Sequence, residues 1–200
     1  MEKIKVDNLS FSYPSSDKLA LDSVSLSIPE SEFVVLCGKS GCGKSTLLRH
    51  LKKSMNPYGN KFGSVCFDGE EIEEMNDRDA ASKIGYVQQN PDNQLVTDKV
   101  WHELAFGLES LGYSNSVIKR RGAEMASYFG IQTWFRKSVS ELSGGQKQLL
   151  NLASVMAMQP EVLILDEPAS QLDPIAARDF LSTVHRLNRE LGVTIVISEH

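Results

Sequence analysis

The sequence has 200 residues, and 21 Lys and Arg side chains against 26 Asp and Glu side chains give a formal charge of −5. This length forms one ordinary domain, or one domain with a lobe inserted into it. The acidic balance argues against a nucleic-acid partner, because binding to a phosphate backbone requires a basic surface.

The cysteines and the apolar runs limit where the protein can work. Cys37, Cys42 and Cys66 follow no metal-ligand spacing and fit a reducing compartment. The N-terminus lacks the apolar stretch of a signal peptide, and the longest apolar runs fall far short of the ~20 residues that span a bilayer. We expect a protein that is cytoplasmic, or peripheral to a membrane through its partners.

The strand signals differ along the chain. The first thirty residues alternate apolar and polar side chains, which predicts antiparallel strands with one buried face. The runs 33–36 and 162–165 are continuously apolar, as in parallel strands that are covered on both faces. Asp68-Gly69 predicts a tight turn. The predicted strands cover residues 4–13, 24–28, 33–36, 64–67, 84–88, 162–165 and 193–197.

Apolar residues spaced by three and four predict amphipathic helices elsewhere. The stretch 90–158 has no strong strand signal, so we expect an α/β sheet domain that carries a helical lobe. Trp101 faces either a groove near Gln89 or the core of the lobe, and we favour the core. The predicted helices cover residues 45–53, 100–111, 116–129, 146–158 and 174–191. The last of them is expected to bury Ala177, Leu181, Val184, Leu187 and Leu191.

A glycine-rich motif lies between a predicted buried strand and a predicted helix. Its residues are Gly38-Lys39-Ser40-Gly41-Cys42-Gly43-Lys44-Ser45, which fit the pattern G-x-x-x-x-G-K-[ST]. Glycines let successive backbone N–H groups turn inward around a phosphate. Lys44 would supply a mobile charge for the β- and γ-phosphates, and the Ser45 hydroxyl is a hard oxygen suited to Mg²⁺. Cys42 is either a redox-sensitive thiol or a small residue that fills the loop, and we favour the second.

Two carboxylates follow the apolar run 162–165. Asp166 and Glu167 stand at the end of a predicted buried strand, where ligands of α/β sheets bind. Asp166 would hold Mg²⁺, directly or through water, and Glu167 would be the general base that polarises an attacking water. The alternative is a solvated acidic turn, which the upstream phosphate motif disfavours.

A second glycine-containing helix start occurs at Leu142-Ser143-Gly144-Gly145-Gln146. Ser143 is a natural N-cap, and the two glycines leave the backbone open to an anion. One nucleotide does not need two such cradles from one molecule. A dimer, in which each copy closes over the nucleotide held by its partner, explains the pair.

With these three motifs in this order, the chain resembles the nucleotide-binding domain of ABC transporters over essentially its whole length. The resemblance implies an α/β P-loop NTPase (ABC ATPase) core with an N-terminal antiparallel β subdomain and an inserted α-helical subdomain. The core would comprise residues 1–89 and 159–200, and the helical subdomain residues 90–158. Domains of this family continue further, so we expect this single domain, 1–200, to be truncated at its C-terminus.

The same resemblance implies an activity and its residues. Two such domains sandwich two ATP molecules, hydrolyse them with Mg²⁺ and drive a membrane partner. The implied catalytic residues are Glu167, Gln89 and His200, and the implied metal ligands are Ser45, Gln89 and Asp166. The implied ATP-binding residues are Tyr13, Gly38, Lys39, Ser40, Gly41, Cys42, Gly43, Lys44, Ser45 and Thr46. The implied contacts to the partner's ATP are Leu142, Ser143, Gly144, Gly145 and Gln146, and the implied dimer loop contains Ser170 and Asp173.

Three of these roles leave an alternative open. Tyr13 would stack on adenine, but it could be a plain core or edge tyrosine. Gln89 would contact Mg²⁺ or water and sense the membrane subunit, but Gln88 beside it leaves the register open. His200 would contact the γ-phosphate and orient the base, and it is the last residue of the sequence.

A narrower resemblance rests on Asn90-Pro91-Asp92-Asn93-Gln94 and on residues 167–174. Both are similar to ATPases of energy-coupling-factor importers for vitamins and metal ions. There two ATPase subunits, identical or different, bind an integral membrane coupling subunit and a separate substrate-capture subunit at the cytoplasmic face of the membrane. The membrane contact is expected near Gln89 and the helix 100–111.

Two other functions remain as alternatives. A soluble ABC ATPase of DNA repair is disfavoured by the short separation of Gln89 from Leu142, which leaves no room for a long coiled coil. A soluble ABC ATPase of translation, which usually carries two cassettes in one chain, stays open, and a second cassette would also suit an importer ATPase. A silent, regulatory nucleotide binder is disfavoured by the presence of Glu167.

Overall fold

The computed structural model describes residues 2–14, 16 and 18–199. The strands in these residues are β1 (Glu2–Ser12), β2 (Leu21–Pro29), β3 (Phe33–Cys37), β4 (Asn60–Phe67), β5 (Glu70–Glu71), β6 (Ile84–Val87), β7 (Val162–Asp166) and β8 (Thr194–Glu199). The α-helices are α1 (Lys44–His50), α2 (Asp77–Lys83), α3 (Val100–Ser110), α4 (Asn115–Tyr128), α5 (Gly144–Ala157) and α6 (Pro174–Leu191).

The N-terminal strands form an antiparallel sheet in the order β2-β1-β4-β5, as the alternating pattern predicts. β1 buries Ile4, Val6, Leu9 and Phe11, so the alternation shifts by one residue between positions 6 and 9. A register irregularity lies at this shift, where Asn8 adopts a φ of 49°. The bulge turns the second half of β1 so that its apolar residues stay on the buried face.

The remaining strands form a parallel sheet in the order β3-β8-β7-β6. One face packs against α1 and the antiparallel sheet, and the other packs against α3, α4, α5 and α6. Alternate residues of each strand therefore enter two different hydrophobic clusters, as Ile164 and Leu165 of β7 do. This double covering explains why the run 162–165 is apolar at every position.

The strand β3 does not match its predicted burial. Within the described residues it pairs with β8 alone and forms the edge of the sheet, and Val35 is 48% exposed. A continuously apolar run predicts the type of strand, but it does not reveal the order of strands in the sheet. The expectation that β3 is covered on both faces is therefore wrong for this structure.

The helices correct four details of the sequence reading. Trp101 is 44% exposed, because α3 turns Val100, Leu104 and Leu108 inward instead. In α6, Phe180, Val184 and Leu187 are buried, whereas Leu191 near Gly192 is exposed. α5 begins two residues before the predicted start, at Gly144. The polar helix α2 has little apolar periodicity, and the sequence does not predict it.

Across the described residues, no helix combines the length and the apolarity needed to cross a bilayer.

A buried lysine, two residues after α1, contacts the end of α2. The Lys52 ammonium donates to the carbonyl oxygens of Ala80 at 2.8 Å and Ala81 at 3.1 Å, and also to that of Ile84. These carbonyl groups lie at the C-terminal end of α2, where the last carbonyl oxygens of a helix have no backbone N–H partner within it. Burial lowers the pKa of Lys52 to about 8.

This pKa predicts how stability depends on pH. Between about pH 8 and about pH 10.5 the unfolded chain binds more protons at Lys52 than the folded chain, so the free energy of unfolding rises with pH. From about pH 8 to about pH 10 we expect a rise of about 2 kcal/mol from this residue. Urea unfolding of the wild type and of Lys52→Met at about pH 8 and about pH 10 measures this rise in the free energy of unfolding. Lys119→Met, at an exposed lysine, should behave as the wild type, and identical slopes for wild type and Lys52→Met would contradict the assignment.

Candidate functional site

The glycine-rich motif forms the connection between β3 and α1. Gly41 has a φ of 79° and Gly43 a φ of 101°, a region that side chains other than glycine rarely adopt. A Cβ atom at Gly43 would lie 2.5 Å from the carbonyl oxygen of Ala20, so the position cannot accept a larger residue without movement. The loop thus has the tight, glycine-dependent path that a backbone anion cradle requires.

Lys44 is held inside this loop rather than projecting freely. Its ammonium donates to the carbonyl oxygens of Gly38 at 2.7 Å and Lys39 at 3.4 Å. The same nitrogen lies 3.5 Å from Oε1 of Glu167. The side chain is 7% exposed, so its charge is concentrated at the centre of the loop.

Ser45 and Asp166 place two hard oxygens side by side. The Ser45 hydroxyl donates to Oδ1 of Asp166 at 2.8 Å. Asp166 also accepts hydrogen bonds from Ser198 Oγ at 3.0 Å and from Tyr86 OH at 3.1 Å. Burial and the neighbouring charge of Asp166 raise the pKa of Tyr86, so its hydroxyl keeps the proton that it donates.

The donor set fits Mg²⁺ better than a transition metal. Among the described residues no three His, Cys, Asp or Glu side chains are grouped so as to hold a metal ion. Mg²⁺ in nucleotide sites commonly uses one or two protein oxygens and fills its other positions with phosphate and water. Ser45 and Asp166 are a pair of this kind.

Glu167 follows Asp166 in an unusual backbone conformation. Its φ is 45°, and such a left-handed conformation costs a residue other than glycine about 1–2 kcal/mol. Its amide donates to Ser198 Oγ at 3.0 Å, which holds the main chain in this path. The side chain is thereby directed to Lys44 and to Gln89, whose Nε2 lies 3.5 Å from Oε2 of Glu167.

Gln89, rather than Gln88, has its side chain at the site. Gln89 Nε2 donates to Ser170 Oγ at 3.1 Å, and Ser170 Oγ donates to the carbonyl oxygen of Glu167 at 2.8 Å. Gln88 uses its main-chain amide to donate to Gln94 Oε1. The loop that contains Ser170 is therefore bound to the two residues proposed for hydrolysis.

The other residues of the implied set lie as follows. Tyr13 OH is 3.1 Å from Thr46 Oγ1, and the Tyr13 ring packs edge-on against Phe11 with 4.9 Å between the ring centroids. Tyr13 is therefore adjacent to the first turn of α1. Asp173 accepts from the amides of Ile175 and Ala176 and so caps α6. His200 lies outside the described residues.

The segment 142–146 is partly closed by its own side chains. The Ser143 amide donates to Gln146 Oε1 at 2.9 Å, and the Gln146 amide donates to Ser143 Oγ at 3.3 Å, which is a capping box. The expectation of an open cradle is therefore wrong for the amide of Ser143. Gly144 and Gly145 occupy the first two helical positions, whose amides have no carbonyl partner within the helix. Within the described residues, no hydrogen bond or ion pair joins this segment to residues 38–46.

Three amide side chains beside the site, two of them fully buried, are not predicted from the sequence. Gln148 and Asn151 are fully buried polar residues of α5, and Gln94 lies between the helix and β6. Gln148 Nε2 donates to the carbonyl oxygens of Gln88 and Pro168, each at 3.1 Å. Polar residues at positions three apart, within an otherwise apolar helical stripe, were the available signal.

Comparison with known proteins agrees with this arrangement. The family model described as ABC transporter matches residues 21–170. A putative ABC transporter ATP-binding protein of Bacillus thuringiensis subsp. konkukian is 52% identical over 196 residues, which are 98% of this chain and 36% of that protein. One of Methanosarcina acetivorans is 42% identical over 199 residues, which are 98% of this chain and 31% of that protein. The chain thus spans about a third of the length of these relatives.

Solved structures show the same fold. The structure of cbiO1 from Clostridium perfringens, described as part of the ABC transporter complex cbiONQ, superimposes with a TM-score of 0.88 and 31% identity over all of this chain and 79% of that one. A dimeric ATP-binding cassette in a post-hydrolysis state, bound to ADP and Pi, gives a TM-score of 0.82 and 26% identity over 98% of this chain and 88% of that one. The chain therefore belongs to the ABC transporter family, as an ATP-binding domain with the α/β fold of an ABC ATPase.

Proposed function

We propose that this domain binds ATP together with Mg²⁺ and hydrolyses it. The observation that carries the proposal is the Ser45–Asp166 contact of 2.8 Å beside the Lys44–Glu167 contact of 3.5 Å. It brings a phosphate-binding charge, two metal-type oxygens and an acid to one point at the carboxyl end of the parallel sheet. Ligands of open α/β sheets bind at this end.

Each side chain has a proposed task. Lys44 offsets the charge of the β- and γ-phosphates, while Ser45, Asp166 and Gln89 would hold Mg²⁺. The metal, when bound, supplies positive charge that offsets the charge developing on the phosphate oxygens. Glu167 accepts a proton from the attacking water, and its Oε1 lies 3.5 Å from the Lys44 ammonium.

We further propose that two such domains act as a dimer. The segment 142–146, in which Ser143 and Gly144 are exposed, would contact the nucleotide of the partner through Gly144, Gly145 and the Ser143 hydroxyl. The loop with Ser170 and Asp173 would lie at the interface. The dimeric state of a structurally similar cassette supports this arrangement. Within each domain, residues 1–89 and 159–200 would act as the ATP-binding core and residues 90–158 as the helical subdomain.

The proposed role of the whole protein is import across a membrane. A groove of about 270 Å³ lies between α2, α3 and α5, and Phe106 at its rim is 44% exposed. Trp101, on the same helix, is equally exposed. An exposed aromatic side chain at the rim of a groove, as Phe106 is, suits contact with a helix of a membrane subunit.

We propose an importer of the energy-coupling-factor type for a vitamin or a metal ion. Its parts would be this subunit, a second ABC ATPase, an integral membrane coupling or permease subunit and a substrate-capture subunit. The likeness to cbiO1, which is part of a transporter complex, supports this type. The ATPase would act at the cytoplasmic face of the membrane, and its net charge of −5 fits a protein without a nucleic-acid partner.

Lys44→Ala tests the phosphate-binding role. Loss of the ammonium from the centre of the loop should weaken ATP binding by at least about tenfold, or ~1.4 kcal/mol. Fluorescence titration of the whole protein with a labelled ATP analogue measures the affinity. Lys119→Ala removes an exposed lysine and should leave it unchanged. Equal affinity of Lys44→Ala and wild type would show that the loop does not bind phosphate through this residue.

Glu167→Gln tests the proposed base. The variant should bind ATP, lose about 10²–10⁴-fold in turnover and accumulate as an ATP-bound dimer, because it cannot accept the proton. Phosphate release and size-exclusion chromatography with ATP measure the two effects. The exposed Glu30→Gln serves as a matched control and should retain turnover. Wild-type turnover by Glu167→Gln would remove Glu167 from the reaction.

Phe106→Asp tests the membrane contact. A charge at the groove should abolish co-purification with the membrane subunit from detergent-solubilised membranes, while ATP affinity changes by less than about twofold. Phe62→Asp is the matched control, because Phe62 is 70% exposed and lies on the distant strand β4. If both variants co-purify equally well, the groove is not the docking site.

A further inference from the structure

We propose that Gln148 is a positioning residue that holds the Gln89–Glu167 pair in its reactive arrangement and joins it to the start of α5. The inference rests on the proposed function, since it concerns the hydrolysis of ATP. Gln148 is fully buried in the first half of α5. It acts through the main chain beside each of the two side chains.

The two hydrogen bonds of Gln148 end on the two reactive loops. Its Nε2 donates to the carbonyl oxygen of Gln88, the residue before Gln89, and to that of Pro168, the residue after Glu167. Both distances are 3.1 Å. One carboxamide therefore fixes the spacing of two loops whose side chains meet at the site.

The chemistry of the contact requires an amide group. Two carbonyl oxygens converge on one point, and an –NH₂ group can donate one hydrogen to each of them. Gln148 Oε1 makes no hydrogen bond within the described residues. The reverse orientation would place that oxygen against both carbonyls, so the donor group is the part of the side chain that matters.

The hydrogen bond from Gln148 to Pro168 also bears on the backbone conformation of Glu167. A left-handed residue persists only where the neighbouring structure restrains it. The bond from its own amide to Ser198 restrains one side, and the bond from Gln148 to Pro168 restrains the other. Loss of Gln148 would let the 168–169 peptide, which carries the Pro168 carbonyl, relax and move the Glu167 carboxylate away from its place near Gln89.

Other contacts make α5 a stiff connection to the segment 142–146. Lys147 Nζ forms an ion pair with Asp92 at 2.7 Å, and Asn151 Nδ2 donates to Gln94 Oε1 at 3.0 Å. Gln148 lies five residues after Ser143 on the same helix, about 7–8 Å along its axis. Any shift of the helix start on contact with a partner's nucleotide would therefore reach Glu167 through Gln148.

Gln148→Met in the whole protein tests the proposal, because methionine keeps the length of the side chain and removes the donor. We expect kcat for ATP to fall at least about tenfold, with the Kd for ATP and KM changed by less than about twofold. Leu152→Ala leaves a cavity in the core beside the same helix, so it controls for an effect of lower folding stability on kcat. Its kcat per folded molecule should stay within about twofold of the wild-type value.

Gln148→Glu separates donation from shape. A carboxyl group can donate only when protonated, so the kcat of Gln148→Glu relative to that of Gln148→Met should rise as the pH is lowered from about 8 to about 6. If Gln148→Met does not fold, the kcat of Gln148→Glu relative to that of the wild type, measured from about pH 8 to about pH 6, gives the same test. A purely structural role would leave this ratio independent of pH.

The outcomes separate this inference from the proposed function. A wild-type protein without ATP turnover would overturn the proposed function and this inference with it. An active wild type with wild-type kcat in Gln148→Met, or with equal losses of kcat in Gln148→Met and Leu152→Ala, would overturn the role of Gln148 alone.

Discussion

The site depends on one buried carboxylate. Asp166, at the end of the central strand β7, accepts hydrogen bonds from Ser45, Tyr86 and Ser198. Ser45 lies in α1, which follows β3, whereas Tyr86 belongs to β6 and Ser198 to β8. Asp166 therefore connects its own strand β7 with β6, with β8 and with the helix that follows β3. Removal of Asp166 would leave three donors without their acceptor, two of them buried or nearly so, and a buried donor without a partner is costly.

The layers that cover the parallel sheet explain why the Asp166 carboxylate can connect its strands at a buried position. The antiparallel sheet and α1 bury one face of the parallel sheet, and the later helices bury the other. The site lies at the carboxyl ends of the strands, beside the phosphate loop. In such surroundings the contacts of Lys44 with Glu167 and of Ser45 with Asp166 are stronger than they would be on an open surface. The fold therefore concentrates charge at the point where a triphosphate would enter.

The sequence predicts the parts of this site that are local in the chain. The phosphate loop and Asp166 are recognisable because their chemistry depends on neighbouring residues and on the strand or helix beside them. Other features depend on which elements pack together. The edge position of β3 follows from strand order, and the exposure of Trp101 follows from the face of α3 that meets α5. Gln148 gains its role only because two distant loops meet beside one helix, and no pattern within α5 encodes that meeting.

The capping box at the start of α5 has a consequence for affinity. Ser143 and Gln146 already hydrogen-bond to one another, so a phosphate in the proposed dimer would have to replace the bond between the Gln146 amide and Ser143 Oγ before it could contact the Ser143 hydroxyl. Exchange of one hydrogen bond for another yields little net free energy. Such a surface would bind its partner weakly and release it readily, as repeated association and dissociation of the proposed dimer requires.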